Sequence, residues 1–279
     1  MDGKLSREEI QRIEFEILKL FASFCEDNAL RYYLSGGTLL GAVRHGGFIP
    51  WDDDIDVIMP RPDYNRFVEL FQKAIDERRL PRENLRLSVN EIDTVTRVMD
   101  TRTVARMHAF DQRNDIGLWI DIFPMDGMPD NRFVRRFHYI KIRLLRDCLF
   151  FLTTKRNIRR RSRAASVLQY VAVPFRPILR RIGVARFATI INRTASKYDF
   201  DTSRLVAAIS AGYGLQEVNV REDYIVPMRI KFRDAEFQTT AAYHTYLTQL
   251  YGDYMQPPPE NKRNKHGLEA WWKTNGAPR

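Results

Sequence analysis

The sequence predicts an α/β fold of the α+β kind, a mixed sheet flanked by helices and interrupted by a basic helical insertion. Three observations carry this. Ile10, Ile13, Ile17, Leu20/Phe21 and Phe24 recur at helical spacing near the start of the chain. Short alternating or apolar runs follow around a dense acidic cluster, Asp52 to Asp56. Between Asn131 and Arg193 the composition then turns abruptly basic. With 279 residues, 44% of them hydrophobic, the chain has material for a sizeable core and is neither disordered nor fibrous.

Ser6-Arg-Glu-Glu9 reads as a capping box, so the first helix is expected from about Ser6 to about Asn28. Leu30 to Ser35 reads as the first strand, with Gly36-Gly37 at its end and a short helix from Thr38 to Arg44. Glycine at such a junction lets backbone N–H groups approach a phosphate, and a helix N-terminus favours negative charge. A plain turn uses the same pair; the neighbouring acids favour the phosphate reading. A second strand, Ile55 to Met59, leads into a helix opened by Arg61-Pro62-Asp63 and running to about Arg79, with Tyr64, Phe67, Leu70, Phe71 and Ile75 as its packed stripe. Further strands are expected at Leu85–Val89, Thr96–Asp100 and Thr103–His108, and another through Trp119-Ile-Asp121-Ile-Phe123. Phe133, Phe137, Ile140, Leu144 and Cys148 have helical spacing, Leu205–Ile209 and Tyr224–Val226 read as strands, and Ala241–Gly252 reads as a helix.

Four aspartates within five residues, Asp52, Asp53, Asp54 and Asp56, are costly unless a cation neutralises them. In a strand Asp54 and Asp56 share a face, two hard oxygen ligands of the kind Mg2+ takes together with water and phosphate oxygens. Asp52 then stands one step outside, and Asp53, of opposite parity, is expected in solvent. An acidic surface turn is the bland alternative, which the apolar flanks Trp51, Ile55 and Val57 disfavour. A calcium loop fails because Val57 replaces the obligatory glycine and Asp63 the bidentate glutamate. Asp121 sits in an otherwise apolar strand, where an acid is expensive unless something binds it. Asp126-Gly127 fits a capped turn or a hydrogen-bonded core acid.

Tyr33 to Met59, with its glycine pair, Arg44-His-Gly-Gly-Phe-Ile-Pro-Trp51 and the aspartate run in order, continued by Arg61-Pro-Asp-Tyr64, resembles the signature of the LicD phosphotransferase family. That family has a nucleotidyltransferase-type fold and is similar also to the fukutin-related ribitol-phosphate transferases. Trp119-Ile-Asp-Ile-Phe-Pro124 resembles its second motif, which makes Asp121 the third acidic residue, either a metal ligand or the general base for the acceptor hydroxyl. Val226-Pro227, Phe237, Tyr246-Leu247 and Tyr251 to Pro258 resemble its C-terminal pattern. The resemblance implies a single catalytic domain over 1–279, with a nucleotidyltransferase core at 1–130, the insertion at 131–200 and completing elements at 201–279. It implies Mg2+ (or Mn2+) on Asp54, Asp56 and Asp121, with Asp52 in support. The donor implied is a CDP-alcohol, foremost CDP-choline, and the acceptor a hydroxyl of a cell-surface glycan or its lipid-linked precursor. Gly36, Gly37, Thr38, Arg44, His45, Trp51 and Arg97 are the implied substrate contacts. Relatives often carry Lys at the Arg97 position, and His45 either approaches the phosphates or positions its loop. Choline would need aromatic faces, for which Trp51, Tyr64, Trp119 and Phe123 are available.

From Asn131 to Arg193 there are 17 Lys/Arg and one acid, Asp147, whereas the remaining chain holds 28 basic and 34 acidic residues. This density of basic and apolar residues suits an anionic membrane surface or a polyanionic acceptor, and Phe150, Phe151 and Phe175 among long aliphatic residues favour the membrane. A nucleic acid or a solvated insertion are the competitors, and no nucleic-acid module is recognisable. Cys25 and Cys148 offer no disulfide framework, no secretory segment opens the chain, and a cytoplasmic protein, peripheral at the inner face of the membrane, is expected. Hydrolase, zinc and dinucleotide motifs are absent from the sequence. A nucleotidyltransferase acting on nucleic acid or a small acceptor, and a catalytically silent binding relative, are the remaining alternatives.

Overall fold

The computed structural model describes residues 3–91, 94–107, 116–153, 183–210, 213–263 and 267–273, with 107, 151–153 and 262 described in backbone only. Helix α1 (Arg7–Asp27) starts at Ser6, whose hydroxyl accepts from the Glu9 amide while the Glu9 carboxylate accepts from the Ser6 amide, the reciprocal cap the sequence predicts. Its buried stripe meets the helix beyond the acidic cluster through Phe21, Phe24, Phe67 and Phe71, whose rings pack edge-on at 4.9–6.1 Å between centroids.

Strand β1 is only Tyr33–Leu34, because its antiparallel pairing with β2 (Asp56–Pro60) reaches no further. Helix α2 (Gly36–His45) begins two residues earlier than expected, so Gly36-Gly37 form its first turn rather than a loop before it. Helix α3 (Arg61–Asp76) carries Pro62 in its opening turn, where its missing N–H costs nothing. Strands β3 (Leu85–Val89), β4 (Thr96–Asp100), β5 (Thr103–Met107) and β6 (Leu118–Met128) follow. The main sheet has the order β1-β2-β6-β4-β3, and β2 and β6 are its parallel pair. A parallel pair needs a long crossover, supplied here by α3 and the β3–β4 hairpin.

Strand β6 is the spine of the molecule. Its first half lies in the main sheet, and its end pairs with β7 (Leu205–Ala207), which pairs with β8 (Asn219–Val220). Asp126 is therefore a strand residue and not a turn; it is fully buried and held by Arg61 through two hydrogen bonds of 2.6 and 2.7 Å. Helices α4 (Arg132–Thr153) and α5 (Val184–Ala195) pack on this end in a second core with Ile142, Leu149, Phe187 and Ile191. The centre of the expected basic insertion, 154–182, lies outside the described residues.

The expected strand at Tyr224–Val226 is instead the one-turn helix α6 (Arg221–Tyr224), with Glu222 and Asp223 at its positive end. Strands β9 (Pro227–Phe232) and β10 (Ala235–Thr240) form a hairpin. At its tip the Arg233 amide donates to the Gly46 carbonyl at 2.7 Å, and its guanidinium lies over Phe15 and Phe48, fixing the end of α2. Helix α7 (Tyr243–Tyr251) buries Tyr246 and Leu247. Strand β11 (Leu268–Trp272) pairs with β5, and Lys4 bridges to it through Trp271 and the Glu269 carboxylate. Among the described residues no helix is long and apolar enough to cross a membrane.

Candidate active site

The sheet register assembles the site. Asp56 lies opposite Asp121 across the β2–β6 pair, and Asp121 lies opposite Arg97 across the β6–β4 pair. Directly opposed residues share one face of a sheet, so two carboxylates and a guanidinium stand in a row over three strands. Arg97 Nε is 2.8 Å from Asp121 Oδ1, and the guanidinium covers the Trp119 ring. Arg97 thus anchors an acid, where the resemblance implied a contact to substrate.

Asp54, Asp56 and Asp121 open onto one cavity of about 720 Å³, whose walls include Gly37, Arg44, Trp51, Asp52 and Phe123, together with Tyr213, Tyr251 and Tyr254. Burial, with the charges of Asp121, Asp52 and Glu217, pushes the Asp56 carboxyl well above the usual carboxylate range, against the pull of Arg97. Asp53 does not follow the parity expectation. It is buried, because β2 begins only at Asp56 and alternation does not extend into the irregular turn before it. That turn rests on α1: Gln11 donates to the Asp52 carbonyl at 2.8 Å, and buried Glu14 feels the charges of Asp54, Asp53, Asp121 and Asp52.

The glycine pair is explained first by space. Gly36 has φ of +53°, and a Cβ there would stand 3.1 Å from Asp56 Oδ2 and 3.2 Å from the Tyr213 hydroxyl. A Cβ on Gly37 would stand 2.8 Å from Asp52 Oδ2. Thr38 is buried and turned to the protein, its hydroxyl accepting from the Asp56 amide at 2.8 Å, so it positions a carboxylate. Arg44 lines the cavity and donates to the Tyr254 carbonyl at 2.7 Å. His45 is exposed, edge-on to Trp51 at 6.2 Å, and stands outside the cavity wall. Trp51 carries Arg263 on its face at 4.3 Å. Tyr64 and Trp119 are core residues and supply the cavity with nothing.

Sequence reasoning missed the far wall. The Tyr213 and Tyr251 hydroxyls are 2.6 Å apart, and burial raises both phenols above their ordinary range. Behind them Glu217 is fully buried, accepts from the Tyr246 hydroxyl at 3.0 Å, and is pushed up to about 8 by burial. The Gly36 amide donates in turn to Tyr246 at 3.4 Å. Glu14 did have a signal, an acid within the apolar stripe Ile10-Ile17-Phe21, whereas nothing local marks Tyr213 or Glu217.

Among the described residues no three His, Cys, Asp or Glu side chains form a cluster that could hold a metal ion by itself. Mg2+, however, is commonly held by one or two carboxylates with substrate phosphates completing the shell. The paired Asp56 and Asp121, with Asp54 and Asp52 on the same wall and a raised Asp56, fit a cation bound in that way.

Paired acids on a mixed sheet, packed against the glycine-bearing first turn of a helix at the wall of a cavity, define the nucleotidyltransferase class of phosphate-handling domains. Residues 29–144 match the family model described as LicD/FKTN/FKRP, nucleotidyltransferase domain. The chain is 30% identical over 284 residues to the lipopolysaccharide cholinephosphotransferase LicD of Haemophilus influenzae, covering 95% of this chain and 97% of that protein. It belongs to the LicD family. A shorter match, 48% over 42 residues, covers 15% of this chain and 8% of the ribitol 5-phosphate transferase FKRP of human and mouse.

Proposed function

We propose that this protein is a divalent-cation-dependent phosphotransferase that moves a phospho-alcohol from a CDP-alcohol donor to a hydroxyl of a cell-surface glycan. The alcohol is choline, and the acceptor is a teichoic acid, a lipopolysaccharide or a lipid-linked precursor presented at the cytoplasmic face of a membrane. The observation that carries this reading is the register of Asp56 with Asp121 at the wall of an aromatic cavity. The volume, about 720 Å³, lies within the usual range for sites that enclose a ligand of this size. Trp51, Phe123, Tyr213, Tyr251 and Tyr254 offer aromatic faces to a quaternary ammonium, and a relative of nearly equal length is by name a cholinephosphotransferase.

Asp54, Asp56 and Asp121, completed by phosphate oxygens of the donor, would hold a Mg2+ or Mn2+ ion, and that ion would supply charge neutralisation. The protein's own part is placement. Arg44 and the first turn of α2 receive the diphosphate, while Gly36 and Gly37 leave room for Asp56 and Asp52 to face it. Thr38 and Arg97 hold Asp56 and Asp121 in position. The acceptor oxygen forms a bond to the phosphorus bearing the alcohol, the bond from that phosphorus to CMP breaks, and the hydroxyl proton passes to a cavity carboxylate.

The test is CMP release from CDP-choline, CDP-ribitol and CDP-glycerol with and without Mg2+, using wild type, Asp54→Ala and Asp56→Ala. Metal-dependent CMP from CDP-choline, lost in both variants, is the expected result. Release of phosphocholine instead would mean attack at the other phosphorus and nucleotidyl transfer, and would overturn the proposal.

A further inference from the structure

Helix α4 has two apolar faces, and the structure uses one of them. Ile142 and Leu149 are buried in the second core, whereas Phe133, Phe137, Ile140 and Leu144 are 75%, 72%, 40% and 54% exposed. The exposed four follow i, i+4, i+7, i+11 spacing, one stripe about 16 Å long on the side of the helix opposite Ile142. Exposed cations border it on both sides, Arg132, Arg136 and Arg143 along one edge and Lys141 along the other, and Asp147 is the helix's lone acid.

We propose that this face of α4 docks on an anionic lipid bilayer, the stripe entering the headgroup boundary and the flanking cations meeting lipid phosphates. Large aromatic and aliphatic side chains between cations have the arrangement of an interfacial helix. A second copy of the same face would bring like charges together, which disfavours self-association. A nucleic acid would leave Ile140 and Leu144 without a use. On its protein side α4 meets the Gly214 turn: Tyr139 packs there, a Cβ on Gly214 standing 2.7 Å from its hydroxyl, and the cavity residue Tyr213 precedes that turn. Docking along this helix therefore holds the Gly214 turn, and Tyr213 beside it, one helix away from the bilayer surface. The inference does not depend on which group is transferred.

The full-length protein is sedimented with vesicles of phosphatidylcholine alone and of phosphatidylcholine mixed with phosphatidylglycerol, and size is measured in parallel. Binding only to the anionic vesicles is expected, weakened by salt. Phe133→Glu/Phe137→Glu, at two exposed positions, should weaken partition at least about tenfold with an unchanged circular dichroism spectrum. Arg136→Glu/Arg143→Glu should lose the preference for anionic lipid. Equal sedimentation of wild type and the Phe133/Phe137 variant would overturn the proposal. So would failure of wild type to bind anionic vesicles, or a dimer that the variant converts to monomer without any vesicle binding.

Discussion

At the scale of single residues, the site is governed by how many negative charges share one wall. Burial and then the charges of its neighbours raise the Asp56 carboxyl, and replacing it by a neutral group removes both a phosphate-facing charge and a candidate cation ligand. Asp56→Asn and Asp121→Asn are each expected to lower the rate of CMP release roughly a hundredfold or more, since several kcal/mol of charge stabilisation are at stake. Retention of activity in either variant would remove that residue from the site. Glu217 gives a prediction about pH. Its carboxyl is raised to about 8 from an ordinary 4.5, so the folded state holds a proton that the unfolded chain releases. Its contribution is full below about 4.5 and is lost progressively as pH rises towards about 8. Glu217→Gln keeps an acceptor for Tyr246 and has no proton to lose. Its denaturant midpoint should therefore pull ahead of wild type as pH rises through that window; a constant difference would mean that Glu217 is not buried as a neutral acid. The aspartates of the cluster and Asp121 were legible in the sequence because acids beside apolar neighbours violate local chemistry. Glu217 and Tyr213 were not, since a lone acid and a lone tyrosine are ordinary until the fold brings them near Asp56.

At the scale of elements, α2 owes its position to glycines. A Cβ on Gly41 would collide with the Gly47 carbonyl oxygen, backbone that the Arg233 amide holds in place through its neighbour Gly46. Gly41→Ala should cost about 1–3 kcal/mol of stability, read as a lowered denaturant midpoint, by the usual penalty for overpacking. Gly37→Ala should act differently. Its clash is with the Asp52 carboxylate, which can rotate, so the expected loss is in activity, with a small change in midpoint. Equal loss of stability in both would contradict this division. Helices and strands with strong local signals were legible almost to their ends: α1 has its cap, α3 its proline, and β3 the alternation Leu85-Arg-Leu-Ser-Val89. The failures have physical causes. The glycines of α2 read as a loop although helical continuation was sterically open, and Tyr224–Val226 reads as a strand by propensity but is turned into α6 by its acidic first turn and by Pro227. The stripe on α4 was recognised as helical, but its spacing could not say which face the core would take.

At the scale of the whole molecule, β6 joins two cores, and the cavity lies where its Asp121 end meets elements from β2, the Gly214 turn and α7. This assembly was the least legible part, because each contact joins segments far apart in sequence: Gly36 to Tyr246, Arg44 to Tyr254, Trp51 to Arg263. Such a site is built by the folded state alone, so whatever fills it stabilises folding by linkage. At about a hundredfold excess over its dissociation constant, a ligand adds roughly 2.7 kcal/mol. With about 2.1 cal/mol/K of unfolding entropy per residue, a chain of 279 residues converts that into about 5 °C of Tm. Mg2+ with CDP-choline is therefore expected to raise Tm by about that amount, measured by calorimetry without any turnover readout. Mg2+ without nucleotide should do less, because the carboxylates hold a cation fully only with donor phosphates in place. In Asp56→Asn the joint shift should largely vanish, while the variant's own Tm should equal or exceed that of wild type, since a half-buried, raised carboxyl has been replaced by a neutral amide. A full shift retained in Asp56→Asn would place the cation elsewhere, and with it the donor's diphosphate.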